Sequence, residues 1–356
     1  MSNFVGVNDV LGRELGSLRL SLTARCNLAC PYCQPDGQEP KALLDQAQRL
    51  ALITASCLLG AQTLRLTGGE PLLCDDLEPL LAAVQRRRSQ KTNPLSNLHE
   101  LALTSNGVLL TAARARSLRQ AGLDRITISL DGTDGASVAQ MSGLRGGSVA
   151  GIKVLDRVLD AIQAARQAGF DPERGDLKLN SVIQRGLNEH QLLPLAALAR
   201  QQGIELRFIE YMDVGNSNGW KPEAVVTAAE MVQQIEDCWP LEFIGRLPGS
   251  TAQSWRYRDG GGLVGVVASI SQPFCGDCNR LRITADGTAF TCLFGAQGTS
   301  LLPWLVPEPN LDGLIQIMQS LWQQRFDRYS EERLKAESVG MVPTLVEKPA
   351  MAYLGG

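Results

Sequence analysis

From residue 18 to about residue 210 the chain alternates two patterns. Short leucine-rich and β-branched runs at 18–22, 63–66, 100–104, 125–130, 177–183 and 205–209 read as strands. Between them, 43–59, 77–88, 112–121, 155–168 and 191–202 carry apolar residues at helical period. Gly60, Gly122, Gly169 and Gly203 follow four of these stretches, where a helix end favours a left-handed residue. Repeated βα units predict a parallel sheet, and about six of them suit an open barrel better than a closed eightfold one. The expected fold class is α/β, a partial barrel of about six strands.

In such barrels the functional residues follow the strands, at their carboxyl ends. The distinctive residues of this chain fall there. Cys26, Cys30 and Cys33 follow the first strand, and Thr67-Gly68-Gly69-Glu70-Pro71 follows the second. Thr104-Ser105-Asn106-Gly107 ends the third and Ser129-Leu130-Asp131-Gly132 the fourth; Lys178 lies in the fifth and Met212 just beyond the sixth. Residues 86–97 form a polar, basic insertion expected to be a solvated loop, and glycine-rich 143–151 is expected to be mobile. Beyond residue 213 the pattern changes to a helix near 228–238, a turn-rich β region to 291, and a helical stretch over 311–333. This predicts a smaller C-terminal α+β domain, with the division 1–225 and 226–356. Gly260-Gly261-Gly262 reads as a hairpin turn.

Composition narrows the function classes. Among 356 residues, 44% are apolar and 20% charged, and no apolar run approaches the ~20 residues that span a bilayer. The N-terminus lacks the basic-then-apolar pattern of a secretory signal. Net charge is −3, which offers no global field for nucleic acid, so an anionic substrate would depend on local arginines. Two histidines, His99 and His190, leave little room for histidine-based catalysis or a histidine-rich zinc site. Nine cysteines in clusters favour metal ligation over disulfides and place the chain in a reducing cytoplasm.

Cys26, Cys30 and Cys33 make a C-x₃-C-x₂-C spacing. On a helix they would share one face as small core residues, but Pro31 would remove a hydrogen bond and clash with the preceding turn. A loop wrapping a metal fits better. Structural zinc wants four protein ligands and no fourth stands nearby, whereas three thiolates suit a four-iron cluster with one open iron. A second set, Cys275, Cys278 and Cys292, has C-x₂-C-x₁₃-C spacing. Zinc is an alternative there, with Cys238 as a fourth ligand. Arg280 and Arg282 alternate just after Cys278, so on an extended segment both point the same way. Arg19 and Arg65 lie within strands, where an unpaired buried charge is costly and an anionic ligand would relieve it.

The first cysteine set, with Tyr32 before its last member and the Gly-Gly-Glu after the second strand, resembles the radical S-adenosylmethionine enzymes. The second set, with FIEYMDVGNSNGW (208–220), SVIQRGLN (181–188), FCGDCNRLRITADG (274–287) and the terminal Gly355-Gly356, resembles the GTP-cyclising family that opens molybdenum cofactor biosynthesis. Departures are small: Ala24 stands where Asp is usual, Gly132 where Ala is common, and the 86–97 loop is longer. The resemblance implies two [4Fe-4S] clusters, held by Cys26, Cys30 and Cys33 and by Cys275, Cys278 and Cys292. It implies S-adenosylmethionine bound by Tyr32, Gly69, Ser129 and Met212. It implies GTP bound by Arg19, Arg65, Thr104, Lys178, Arg280, Leu281 and Arg282, with Arg19, Arg280, Arg282, Gly355 and Gly356 serving catalysis. The reaction implied is GTP to 3′,8-cyclo-7,8-dihydro-GTP, with an external one-electron donor and the product passed to cyclic pyranopterin monophosphate synthase. Neither nucleic acid nor membrane is an expected partner, and the protein is expected to be a monomer or a homodimer. The competing readings are a peptide-modifying radical maturase, which would call for more C-terminal cysteines, and a zinc-stabilised binding module.

Overall fold

The computed structural model describes residues 6–33, 39–215, 218–338 and 348–355. Six strands appear where the pattern places them: β1 (Ser17–Ser21), β2 (Thr63–Thr67), β3 (Glu100–Ser105), β4 (Arg125–Ser129), β5 (Leu177–Ile183) and β6 (Glu205–Glu210). Each pairs in parallel with the next. Gly60, Gly122, Gly169 and Gly203 all have positive φ, as the helix-end reading requires.

The C-terminal part does not build a separate sheet. Its strands are β7 (Leu241–Gly245), β8 (Gln253–Tyr257), β9 (Leu263–Val267), β10 (Arg280–Ile283), β11 (Thr288–Phe290) and β12 (Thr299–Ser300). β9 joins β6 and β10 joins β1, both in parallel, so eight neighbouring strands run the same way. Antiparallel β8 and β7 extend one end, and β11 and β12 the other. The sheet is open, and the second half of the chain flanks the first on both sides.

Period-two alternation sorts the side chains of these strands. Leu18, Leu20, Leu64, Leu66, Leu101, Leu103, Ile126, Ile128, Leu206, Phe208, Leu281 and Ile283 are buried in the main apolar core. The alternate positions turn to the concave side, and there the register matters. Arg19 lies opposite Arg282 on one side and Arg65 on the other, so three guanidinium groups stand at one level on adjacent strands.

Two expectations change. In the 143–151 stretch Gly143 and Gly151 allow close packing: a Cβ on Gly143 would sit 2.0 Å from the Ala29 carbonyl oxygen, and one on Gly151 1.8 Å from that of Gly135, where helices Gly135–Met141 and Gly147–Gln167 meet. The 86–97 insertion is not simply solvated, because Leu95 is buried and Arg88 bonds Asp124 and the carbonyls of Leu98 and His99. The 311–333 stretch divides into helices Leu311–Gln323 and Tyr329–Ser338. A glycine turn at 260–262 joins β8 to β9, as expected.

Glu210, at the end of β6, ties the halves together. Fully buried, its carboxylate accepts from the Ala228 and Ile270 amides at 2.7 Å, the Ser271 amide at 2.9 Å and the Ser271 hydroxyl. Glu210→Ala leaves three backbone donors without a partner. We expect a loss of about 3 kcal/mol or more, read from the chemical denaturation midpoint.

Candidate active site

The Gly-Gly-Glu loop and the first cysteine loop hold each other. The Gly69 amide donates to the Thr23 carbonyl and the Glu70 amide to the Arg25 carbonyl, both at 2.8 Å. A Cβ on Gly68 would meet the Thr23 oxygen at 2.3 Å, and one on Gly69 the Arg25 oxygen at 2.1 Å, so only glycine permits the approach. Buried Glu70 accepts from the Ser105 hydroxyl and the Asn106 amide at 2.8 Å, which ties in the loop after β3. From that loop the Asn106 side-chain amide reaches the Cys26 sulfur at 3.7 Å. Residues 31–33 are a turn, with the Cys33 amide donating to the Cys30 carbonyl at 3.0 Å.

Cys26, Cys30 and Cys33 line one open cavity of about 1130 Å³, together with Tyr32, Gly69, Ser129, Asp131 and Met212. Cys275, Cys278 and Cys292 line a second, of about 1000 Å³, with Arg19, Arg65, Arg207, Arg280 and Arg282. Thr104, Asn180, Ile209 and Met212 border both, so the two open into one chamber. Cys238 is exposed at the end of helix Ala228–Cys238 and lines neither cavity, so the second set stays at three.

Burial pushes five of the six thiols up, Cys33 and Cys292 to about 12. Cys278 is different. Burial raises it too, but the Arg280 and Arg325 guanidinium groups outweigh that and bring it down to about 6. Backbone N–H groups of Glu331 and Ser330, at the start of helix Tyr329–Ser338, pull Cys275 back toward the thiolate. Among the described residues no three His, Cys, Asp or Glu side chains converge as ligands of one metal ion do. A cubane cluster asks for something else, since each thiolate binds a different iron and the sulfurs stay apart. Three thiols around a roomy cavity, at each end of the chamber, fit that group.

The charges are sorted. Among the described residues the first cavity has one charged lining residue, Asp131; the second has five arginines and no carboxylate. Burial and the neighbouring Arg282 and Arg65 depress Arg19 well below the usual arginine range. Burial, then Arg125 and Arg207, bring Arg65 to about 9; burial, then Arg280, brings Arg282 to about 10. Among the described residues the Arg19 and Arg65 side chains have no ion pair. Thr104 Oγ1, Asn180 Oδ1 and Ser269 Oγ are buried without hydrogen-bond partners. The arginines are in want of an anionic ligand, and the two hydroxyls and the Asn180 amide oxygen of a polar one that also donates.

Of the residues expected to bind nucleotide, Arg19, Arg65, Thr104, Arg280 and Arg282 come together on this cavity. Lys178 does not line it; its Nζ pairs with Glu205 at 2.7 Å. The Leu281 side chain belongs to the opposite, core-facing side of β10, so only its backbone faces the arginine side. Tyr32, Gly69, Ser129 and Met212 all line the first cavity. Gly355, at φ +68°, lies where a Cβ would meet Ser21 Oγ and Thr67 Cγ2 at 2.5 Å, and its carbonyl accepts from Arg282 at 2.9 Å. Gly356 lies outside the described residues. Sequence reading missed Arg207 and Asn180, which alternate with core residues as Arg19 does, and placed Asp131 on the rim without giving it a role. Met351 and Leu354 pack with Phe290 and Phe294 in a small apolar cluster touching both Cys33 and Cys292, so the tail forms the wall between the two cysteine sets.

An open parallel barrel with a three-cysteine loop at its rim defines a class, and residues 20–199 match the radical SAM superfamily model. Residues 204–331 match the Molybdenum Cofactor Synthesis C model. Within that superfamily, with its four-iron cluster and S-adenosylmethionine, the chain belongs to the GTP 3′,8-cyclase family. It is 58% identical over 356 residues, all of both chains, to the GTP 3′,8-cyclase of Synechococcus sp. (strain CC9605). It is 46% identical over 335 residues, 92% of each chain, to that of Xanthomonas campestris pv. campestris (strain B100). Streptococcus suis SuiB bound to S-adenosylmethionine has the same fold, with a TM-score of 0.59 at 14% identity over 85% of this chain and 68% of that one. No helix among the described residues is long and apolar enough to cross a membrane.

Gly69→Ala is expected to displace the first cysteine loop while the barrel stays folded. Electron paramagnetic resonance after anaerobic reconstitution should lose the signal change on adding S-adenosylmethionine, with circular dichroism unaltered.

Proposed function

We propose that the protein converts GTP to (8S)-3′,8-cyclo-7,8-dihydro-GTP in the first step of molybdenum cofactor biosynthesis. The observation that carries the reading is the divided chamber: three thiols and a lone carboxylate at one end, three thiols and five arginines at the other. Cys26, Cys30 and Cys33 hold the first four-iron cluster, and Tyr32, Gly69, Ser129 and Met212 hold S-adenosylmethionine beside it. Together these groups supply hydrogen-atom abstraction from the ribose. Cys275, Cys278 and Cys292 hold a second four-iron cluster; Cys278, already biased to the thiolate, favours metal binding there.

Arg19, Arg65, Arg280 and Arg282 bind the triphosphate, for which planar guanidinium forks suit phosphate oxygens. Thr104 and Asn180, at the junction of the cavities, face the sugar. Lys178 reaches substrate only by exchanging its pairing with Glu205. Clamping base and triphosphate at the second end leaves the ribose at the junction, and only one ring closure lies within reach. Gly355, held by Arg282, and Gly356, which lies outside the described residues, serve catalysis as residues without side chains. Residues 1–225 act as the cofactor-binding barrel and 226–356 as the nucleotide-binding part. The enzyme works in the cytoplasm as a monomer or homodimer. It draws electrons from an external one-electron donor and passes product to cyclic pyranopterin monophosphate synthase.

Anaerobic incubation with S-adenosylmethionine, dithionite and GTP, followed by identification of the nucleotide product, tests this directly. We expect about eight irons per chain after reconstitution. Zinc without labile sulfide would overturn the reading. Arg282→Ala, which leaves the Arg280 charge beside Cys278 in place, should abolish GTP turnover while both clusters assemble; turnover within about twofold of the parent would remove Arg282 from the site.

A further inference from the structure

Asp131 has no binding role in the function as stated, yet among the described residues it is the one charged side chain lining the cofactor cavity. Its Oδ2 accepts the Tyr32 hydroxyl at 2.7 Å and its Oδ1 the Val182 amide at 2.8 Å. Asn188, wholly buried, fixes its backbone by donating to the Asp131 carbonyl at 2.9 Å and the Val182 carbonyl at 2.8 Å. Among the described residues no lysine, arginine or histidine pairs with it. Each carboxylate oxygen accepts one hydrogen bond and retains capacity for a second interaction. A half-buried carboxylate that faces a cavity with no cation beside it is favourably completed by a positive ligand. A cluster on Cys30 and Cys33 adds negative charge nearby and strengthens the demand.

We propose that Asp131 is the counter-charge of the cofactor site, selecting a positively charged sulfonium ligand over its neutral thioether counterpart and holding Tyr32 in place as it does so. The proposal rests on the cofactor assignment given above. The arrangement divides the chamber electrically: a cationic cofactor is drawn to the Asp131 end, and an anionic nucleotide is repelled from it and attracted to the arginines. One carboxylate thereby helps keep two nucleoside-bearing ligands from exchanging places. Once the cofactor is cleaved, neither the thioether sulfur of methionine nor 5′-deoxyadenosine carries the sulfonium charge, so this attraction is lost and release is favoured.

The test compares equilibrium binding of S-adenosylmethionine with that of S-adenosylhomocysteine, which lacks the sulfonium charge, on anaerobically reconstituted protein without GTP. The parent should prefer the sulfonium ligand, and Asp131→Asn, which keeps an acceptor for Tyr32, should reduce that preference about tenfold or more. Tyr32→Phe removes the hydroxyl and keeps the carboxylate, so it should preserve the preference even if both affinities fall. An unchanged ratio in Asp131→Asn overturns the proposal, as does a lost preference in Tyr32→Phe. Equal affinity of the parent for the two ligands overturns it without any variant, should Asp131→Asn fail to fold. A parent that assembles its cluster and binds neither ligand would instead overturn the cofactor assignment itself.

Discussion

Like charges held together inside the sheet are the constraint on which the rest of the architecture turns. Arg282, Arg19 and Arg65 occupy one level of β10, β1 and β2, on the side facing away from the leucine core. Their mutual repulsion and loss of water work against the fold, and the depressed pKa values of all three are its mark. A polyanion would remove this cost. Under the proposed function, substrate binding would also complete the interior, at a site preorganised by strands rather than by loops.

Around that row, the first cysteine set is positioned by close backbone approach. Gly68 and Gly69 bring the second strand's loop onto the first cysteine loop, and Glu70 then ties in the loop after β3. At the other end, Arg280 serves twice, lining the nucleotide cavity and drawing Cys278 toward the thiolate. Under the proposed function, one side chain would couple substrate recognition to metal ligation.

Much of this was legible in the sequence because parallel strands at period two expose their own logic. Arg19, Arg65, Arg280 and Arg282 stand between leucines, and that alternation alone says which side they face. Spacing gave the cysteine sets, and Pro31 removed the helix. What stayed hidden depended on long-range contact. Nothing local to residues 263–267 or 280–283 says that they flank β6 and β1. Gly151 looked like a source of motion because its neighbour Gly135 is distant in sequence. Leu281 was grouped with its arginine neighbours although alternation turns its side chain the other way. Asp131 gave no periodic signal; its position is defined by Tyr32 and Val182, far along the chain.

The sheet order has a consequence for the order of synthesis. β2 to β6 each receive their inner neighbour as the chain emerges, but β1 waits for β10, made more than two hundred residues later. Until then β1 is an edge, with Arg19 and the first cysteine loop beside an unfinished flank. The wall formed by Met351 and Leu354 arrives later still. A nascent chain can therefore carry three well-placed thiols long before Met351 and Leu354 exist to pack beside them.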